Sequence, residues 1–556
     1  MADAPLLRVS RPVSACSRCR SAKVKCDGKL PACTACERAG KATECNGGND
    51  QFARGKERSY VASLESKLEK LEKRLAALQD ACAPSAPPTP DHRHRNKQQK
   101  VDDDGEVEDL GHQCRHSRYF YGFAPDLSFS RIALRASSVS RILNSKPRAR
   151  LPPRHTATRL VQHYFDKIFA TMPCVNETSF FGALEAVYRD EAGAHPFDIF
   201  CVYMVLAVGT MSLSKSQDSA AAHNAACFVK SALEHADTVI TPSDLKGVQA
   251  TLLLVQYSML EPAHFNSWYL IGVASRIMID IGLHQEPLKV SKRRSAEMDL
   301  RRRVFYCVYT LDRSISMVLQ RPFTFSDDSV LVSLPKGVNT PTPMAAATHL
   351  FRLRKLQSEW YQSLHLSGSD PLPNPTEYIS HHTQLLHQWK DNIPPMSPST
   401  RDWLLLEWHY LLIYLPAPSP KIPRCSSDAL QQIYTHSLSY SFSFRAILTE
   451  AVNSGFVYTY HDALRTYFVG SNLLHSMTLL PGLGDEKAES AIEGIIFVLT
   501  QMMVRWPEVE ALRDKFRNEA GYVLQRRRQQ REMEWERLGG HVATADFGNI
   551  AFYRYA

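Results

Sequence analysis

Six of the thirteen cysteines of the chain lie in one short segment near its N-terminus. They follow the spacing C-x2-C-x6-C-x6-C-x2-C-x8-C and are Cys16, Cys19, Cys26, Cys33, Cys36 and Cys45. The two thiolates of a C-x2-C pair can bind one metal ion from a single turn, as they do in structural zinc sites. So short a segment cannot bury much of a core, and we therefore expect metal binding to supply its folding energy.

The number of cysteines indicates how many ions the segment binds. One tetrahedral zinc ion takes four ligands, so two ions need eight ligand positions. Six thiolates fill eight positions only if two of them bridge both ions. The spacing nearly repeats, so the first cysteines of the two halves, Cys16 and Cys33, are the natural bridges. We predict a negatively charged two-zinc cluster, with the charge of Arg20, Lys23 and Lys25 offsetting it.

Other roles for the cysteine segment fit the sequence less well. Disulfides form in oxidising compartments, and the N-terminal MADAPLLRVSRPVS lacks the apolar segment of a secretory signal. A redox C-x2-C would flank a βαβ pattern, and a catalytic zinc would have an open position and His or carboxylate ligands. We therefore favour structural zinc in a reducing, intracellular compartment. The scattered cysteines are expected to be buried apolar residues: Cys82, Cys114, Cys174, Cys201, Cys227, Cys307 and Cys425.

The positive charge of the chain is concentrated around the cysteine segment. The chain has a net charge of +9, and residues 8–58, with twelve Lys/Arg and five Asp/Glu, carry +7 of it. A compact basic region on a nearly neutral body is typical of a module that binds a polyanion. This distribution predicts binding to nucleic acid.

Residues 16–45 resemble the fungal zinc binuclear cluster transcription factors. The stretch CRSAKVKC, from Cys19 to Cys26, matches the basic segment of that family, and Pro31 matches its loop proline. The resemblance implies two short helices around two zinc ions, in a nuclear, RNA polymerase II type of transcription factor. It also implies that the end of the first helix enters the major groove at a CGG-type triplet.

The resemblance assigns roles to the basic residues by their position. Lys23 would reach base edges, and Arg20 and Lys25 would contact phosphates, with Arg18 as a further DNA-binding residue. Ala22 stands where some members of the family have a second base-reading lysine. This departure leaves more of the readout to Lys23 and to backbone carbonyls. The alternative for these basic residues is a solvated face.

A heptad pattern follows a polar linker at residues 46–59. Within residues 60–80, the apolar residues alternate at spacings of three and four and are Val61, Leu64, Leu68, Leu71, Leu75 and Leu78. The pattern predicts a parallel coiled-coil homodimer, in which Lys67 at position g faces Glu72 at position e of the partner. The alternative is an amphipathic helix that packs on its own chain.

The terminal segments and a second linker lack any apolar period. Residues 81–115 contain a Pro-rich run, a basic run and an acidic run, so we predict disorder there and at residues 1–15. The basic run suits nuclear import, although short basic runs are commonly just solvated. The acidic run suits contact with the transcription machinery, although a simple spacer is preferred there. Residues 539–556 are predicted to be a C-terminal tail.

The rest of the chain, residues 116–538, shows apolar residues at helical spacing between Pro/Gly breaks. This pattern predicts an all-α domain, since alternating strand patterns are scarce. Helices are expected at 156–171, 196–212, 218–237, 245–260, 265–282, 296–320, 343–366, 375–392, 398–414, 428–453, 459–480, 486–505 and 507–538.

This helical region resembles the regulatory domain of the same family, called the middle homology region. The matching segments are 268–270 with Arg276, 280–284, 301–306, 309–313 and 320–322. The resemblance implies a regulatory domain that senses a metabolite or binds a partner, with no catalytic role. The sequence also has none of the G-x-S-x-G, H-E-x-x-H, P-loop and G-x-G-x-x-G motifs. We interpret Asp312–Arg313 as a structural ion pair and Arg301–Arg303 as a solvated helix face.

Together these patterns predict a zinc-dependent, homodimeric, non-enzymatic DNA-binding transcription factor of the nucleus. It would regulate a metabolic or secondary-metabolite gene set, contact the transcription machinery and respond to a small-molecule effector. No apolar run approaches the roughly 18 residues that a bilayer requires, so no membrane association is expected. The alternatives are a metabolite-binding or enzymatic helical domain tethered to nucleic acid, and a scaffold that binds nucleic acid through charge alone.

Overall fold

The structure is a computed structural model that describes a large part of the chain. The described residues are 17–24, 32–41, 129–138, 146–214, 216, 219–286, 295–336, 344–368, 370–454, 456–480 and 486–537. The chain divides into two units, Met1–Ser117 and Arg118–Ala556, and each is described by itself. The predicted linkers, the coiled coil at 60–80 and both terminal segments lie outside the described residues.

The first unit contains two short helices in its described residues, α1 (Ser17–Ser21) and α2 (Thr34–Arg38). Each begins next to a cysteine of the predicted cluster, and α2 has Cys33 at its N-cap with an extended backbone. Helices of five residues are not stable on their own in water, because the first turn costs more than its one hydrogen bond returns. Their stability has to come from contacts with the rest of the unit, and the predicted metal cluster beside both helices is the source that we expect.

The described residues of the second unit are helical, with two isolated β-bridges and no strand. Two π-helical turns, Phe165–Phe169 and Gln362–Leu366, and a 3-10 turn at Asp327–Ser329 accompany the α-helices. The helices are α3 (Phe129–Ser137), α4 (Arg154–Tyr164), α5 (Glu177–Arg189), α6 (Pro196–Ser212), α7 (Ala220–Leu233), α8 (Ala236–Val239), α9 (Leu245–Leu260), α10 (Ser267–Asp280), α11 (Ser295–Val318), α12 (Ala345–Tyr361), α13 (Pro375–Asp391), α14 (Pro398–Tyr414), α15 (Ser427–Ser454), α16 (Tyr460–Leu479), α17 (Glu486–Met503) and α18 (Val509–Arg537).

Helix α6 lies at the centre of the N-terminal part of this unit. Pro196 takes the first helical position, and every residue from Ile199 to Met211 is buried. A helix that is apolar on all sides belongs in the interior, and α4, α5, α7 and α9 surround it. Gly209 permits the close approach of α4, since a Cβ there would lie 2.8 Å from the carbonyl oxygen of Leu160.

Helices α14 to α18 form the C-terminal part of the helical unit. Helix α15 packs against α14, α16 and α17, while α11 contacts both α9 and α16 and so joins the two parts. The buried apolar side chains form one continuous core from Ala157 to Ala520. Of the described helices, not one has both the length and the hydrophobicity needed to cross a bilayer.

The predicted all-α fold class is confirmed, and each helix predicted from periodicity has a helical counterpart. The predicted helix at 218–237 is divided into α7 and α8. Helices α3 and α5 were missed. A signal for α5 existed, because Asn176 caps it by accepting a hydrogen bond from the Ser179 N–H, and Phe180, Leu184 and Val187 follow at helical spacing.

Candidate metal centre and nucleic-acid interface

Three of the six predicted metal ligands meet in the interior of the first unit. Cys19 of α1, Cys33 at the N-cap of α2 and Cys36 of α2 are at most 1% exposed, and their Sγ atoms all lie within 4.8 Å of one another. The Sγ of Cys19 is 3.5 Å from that of Cys33 and 4.0 Å from that of Cys36. Thiolates around a tetrahedral zinc lie about 3.8 Å apart, since each Zn–S bond is about 2.3 Å.

The separation of these thiols therefore fits thiolates that share zinc. Cys33 begins the second half and lies close to Cys19 of the first half, which is where a bridging ligand belongs. Cys16, Cys26 and Cys45 lie outside the described residues, so their part in the cluster stays a prediction, as does the bridging role of Cys16 and Cys33. The scattered cysteines Cys174, Cys201, Cys227 and Cys307 are buried as expected, and Cys425 is half-buried, whereas Cys82 and Cys114 are not among the described residues.

The side chain of Arg18 crosses from the first half of the cluster to the second. Its Nη1 donates to the carbonyl oxygen of Ala35 at 3.4 Å and to the Sγ of Cys36 at 3.5 Å. A guanidinium beside a thiolate offsets part of the negative charge of the cluster. This contact gives Arg18 a structural role in stabilising the cluster. Its contact with DNA stays a prediction.

The two halves end their helices in the same way, 17 residues apart. After α1, Lys23 has a positive φ of 52°, and the Val24 N–H donates to the Cys19 carbonyl oxygen at 3.0 Å. After α2, Gly40 has a φ of 68°, and the Lys41 N–H donates to the Cys36 carbonyl oxygen at 3.0 Å. Both helices thus end in one left-handed residue, which is the usual way to satisfy the last carbonyls.

Lys23 holds this left-handed conformation without being glycine. Glycine adopts a positive φ freely, whereas a residue with a Cβ pays about 1–2 kcal/mol. Lys23 and Val24 are exposed, so the turn presents a lysine head and an apolar side chain to solvent. Strain of this kind at an exposed basic turn points to function rather than stability. The side chain of Arg20 and all of Lys25 lie outside the described residues.

Replacing Lys23 with glycine is expected to stabilise the zinc-loaded first unit by about 1 kcal/mol, because the left-handed turn then has no Cβ. Zinc affinity is coupled to folding, so the full chain should retain zinc at roughly fivefold higher chelator concentration. Lys23→Ala keeps a Cβ and should not change zinc retention. Chelator titration with zinc measured per chain tests this, and equal behaviour of the two variants would contradict the strain.

The helical unit contains a buried ion pair around Arg313. Arg313 donates to Asp312 at 2.8 Å, to Asp327 at 2.6 Å and to the Phe325 carbonyl oxygen at 2.9 Å. The rings of Tyr309, Phe323 and Phe325 lie 4.2–4.5 Å from its guanidinium carbon. This confirms the interpretation of Asp312–Arg313 as a structural ion pair.

The interpretation of Arg301–Arg303 as a solvated face is wrong for Arg303. Its side chain is 1% exposed and pairs with Asp299, one helical turn earlier, at 3.5 Å. It also donates to the Val175 carbonyl oxygen at 3.4 Å. Arg302 is partly buried and pairs with Glu286 at 2.7 Å. Three consecutive arginines indicate a solvated face in the sequence, but consecutive residues of a helix point in different directions, and in α11 Arg303 points into the core.

Four helices share a second buried charge network that the sequence did not reveal. Glu407 of α14 accepts from Arg354 of α12 at 2.6 Å and from Arg465 of α16. Arg465 also donates to Asp462 at 2.9 Å and to Ser314 of α11 at 2.6 Å. Two positive and two negative charges balance in a site that water does not reach. The partners lie far apart along the chain, so no local spacing could have indicated them.

Comparison with known protein families identifies both units. Residues 14–55 match the fungal Zn(2)-Cys(6) binuclear cluster domain, and residues 161–391 match the fungal specific transcription factor domain. The chain therefore carries both domains that characterise the fungal zinc binuclear cluster transcription factors. The cluster domain of this family binds two zinc ions, which agrees with the thiols that meet around Cys33. Members of this family are transcriptional regulators and not enzymes.

Curated relatives of this zinc cluster family cover parts of the chain. The Positive regulator of purine utilization of Emericella nidulans is 26% identical over 38% of this chain and 27% of its own length. The Pyrimidine pathway regulatory protein 1 of Saccharomyces cerevisiae is 26% identical over 37% of this chain and 26% of its own length. The citrinin biosynthesis transcriptional activator mrl3 of Monascus ruber is 25% identical over 58% of this chain and 63% of its own length. The chain thus spans about a quarter of the first two relatives.

Proposed function

We propose that this protein is a sequence-specific regulator that binds CGG-type half-sites in nuclear DNA and controls genes transcribed by RNA polymerase II. The observation that carries the proposal is the group of buried thiols next to an exposed basic turn, within a segment that matches the cluster domain. A turn that projects one lysine from a small rigid module suits the major groove, where base edges are distinguishable.

In this proposal all six cysteines of the N-terminal segment hold the two zinc ions. Cys16, Cys26 and Cys45 complete the ligand set begun by the three buried thiols, with Cys16 and Cys33 as the bridges. The zinc ions supply rigidity and no reaction. The orientation of the basic turn then follows from α1, whose Cys19 is one of the ligands.

The DNA contacts fall into two chemical classes. Lys23 reads base edges, and Arg20 and Lys25 contact phosphates on either side. Arg18 also lies near the phosphate backbone of the DNA, because the Cys36 thiolate neutralises only part of its charge. Contacts to base edges give specificity, while contacts to phosphates give affinity that depends on salt.

The protein acts as a homodimer in this proposal. The heptad positions Val61, Leu64, Leu68, Leu71, Leu75 and Leu78 pair two chains within residues 60–80, and the linker at 46–59 sets the distance between two cluster modules. Two modules on one coiled coil read two half-sites, since half-site spacing follows the symmetry of the dimer.

The genes controlled belong to a metabolic or secondary-metabolite set. Support comes from the names of the relatives, which refer to purine utilization, the pyrimidine pathway and citrinin biosynthesis. The helical domain then contacts the transcription machinery and responds to a small-molecule effector.

A cavity in the helical domain suits such an effector. It measures about 110 Å³, has apolar walls that include Met172, Met259 and Trp403, and has the amino group of Lys167 hydrogen-bonded to Ser399 at 3.0 Å among its lining residues. Apolar walls with a few polar groups are typical of ligand sites, but sites for drug-sized molecules measure about 300–1,000 Å³, so this cavity suits only a small effector.

Binding of the full chain to duplexes with two CGG half-sites, compared with scrambled duplexes, tests this function. We expect at least about a thousandfold preference at physiological salt. Lys23→Ala should reduce the preference for the triplet, because a base contact is lost. Lys25→Ala should weaken binding to both duplexes alike and make it less dependent on salt. Equal affinity of the wild type for both duplexes would refute sequence-specific recognition.

A further inference from the structure

Three histidines from three consecutive helices lie together on the helical unit. They are His387 of α13, His409 of α14 and His436 of α15, and each is half-buried. The Nδ1 atoms of His409 and His436 are 3.0 Å apart. Their ring centroids are 5.3 Å apart, and the ring of His387 lies 6.3 Å from that of His436.

Two imidazole nitrogens that face each other at this distance need something between them. A neutral imidazole carries one N–H and one bare nitrogen, so two Nδ1 atoms attract only if a proton or a metal ion joins them. Burial, the neighbouring His436 and Lys390 lower the pKa of His409 to about 3. Burial, His387 and Lys390 lower the pKa of His436 to about 4. The same burial and the Lys390 charge that oppose a proton here also weaken the binding of a cation, so the facing nitrogens alone favour a metal ion.

The separation also fits the dimensions of a metal site. Imidazole nitrogens bind first-row ions at about 2.0–2.1 Å, so two nitrogens 3.0 Å apart subtend roughly 90–97° at a shared ion. This is the angle between adjacent ligands of an octahedral or square-planar ion. An opening of a few tenths of an ångström gives the tetrahedral angle that zinc prefers. Such a change is within reach of side-chain rotation.

We propose that His409 and His436, with His387 turning in as the third ligand, form a binding site for a divalent first-row transition-metal ion, distinct from the cysteine cluster. The surroundings set the strength of this site. Lys390 lies 5.1 Å above the ring of Trp408 and repels a nearby cation, so the site binds more weakly than the six thiolates. Solvent fills the remaining positions around the ion, since all three rings are partly exposed.

Zinc itself is the probe that tests the site. The full-length protein is dialysed against buffer with micromolar free zinc, and zinc per chain is measured by elemental analysis. We expect three zinc ions per chain in the wild type and two in His436→Ala and in His409→Ala. His381→Ala removes an exposed histidine of the same helix α13 and should keep three.

Thermal unfolding of the helical unit provides a second measurement. Added zinc should raise the melting temperature of the wild type and of His381→Ala, and should leave that of His436→Ala unchanged. Two zinc ions in the wild type, or a third ion that survives His436→Ala, would overturn the proposal in favour of a plain hydrogen bond between the rings. Binding to CGG duplexes should be the same for all these variants, so failure of this site and failure of the proposed DNA recognition are distinguishable.

Discussion

Replacing Glu407 with glutamine is expected to lower the free energy of unfolding of the helical domain by about 3–5 kcal/mol. The carboxylate lies between Arg354 and Arg465 and is 2% exposed. Without its charge, two guanidinium groups stay buried next to each other, with only Asp462 to compensate them. The loss is large because charges removed from water depend on their partners for nearly all of their stabilisation.

Urea unfolding of the full-length protein, followed by circular dichroism, measures this effect. Glu493→Gln removes an exposed carboxylate of α17 and should change stability by no more than about 0.5 kcal/mol. The double variant Arg354→Met/Glu407→Leu should recover much of the loss, because Arg465 keeps Asp462 and Ser314 as partners. A loss in Glu407→Gln no larger than that in Glu493→Gln would show that the network does not stabilise the fold.

Removal of zinc, or replacement of Cys33 with serine, is expected to abolish specific DNA binding. Structural zinc contributes on the order of 10–16 kcal/mol to the folding of small zinc modules, which far exceeds what two five-residue helices can supply. The basic turn then loses its fixed position next to Cys19. The preference for CGG duplexes over scrambled ones, about a thousandfold or more in the wild type, should fall to nearly one.

Zinc content, duplex binding and helicity are measured together in this experiment. Far-UV circular dichroism should barely change on zinc removal, because the continuous apolar core lies wholly within the helical unit. Cys425→Ser is the control, since it removes a half-buried thiol of the helical unit and should keep both zinc and DNA binding. Specific binding that survives chelation would favour a scaffold that binds nucleic acid through charge alone.

Local patterns in the sequence were enough for most of the helices and for the meeting of three cysteines. A C-x2-C pair and an apolar period each depend on neighbours within one or two turns, so they can be read before the fold is known. The Glu407 network could not be read in this way, because Arg354 and Arg465 lie 53 and 58 residues from it. Arg303 was misread because its burial depends on distant residues: it donates to the carbonyl oxygen of Val175, 128 residues away, although its ion-pair partner Asp299 is only one turn earlier.

The positive φ of Lys23 was also invisible in the sequence. Glycine is the residue that marks a left-handed turn, and the second half of the cluster has one at Gly40, whereas the first half does not. Only the backbone shows that the two positions are equivalent. The facing rings of His409 and His436 were invisible for a similar reason, since a contact between two helices does not follow from the local pattern of either.

The matching ends of α1 and α2 bear on how the module would be oriented on DNA in the proposed complex. Cys19 and Cys36, Lys23 and Gly40, and Val24 and Lys41 are related by the same shift of 17 residues, with equal hydrogen bonds. Both halves therefore present a left-handed turn of the same backbone shape, and only the side chains at these turns distinguish one half from the other. If Lys23 reads base edges as proposed, Gly40→Lys is expected to give the module a second basic turn of the same backbone shape, which would compete with the first for DNA.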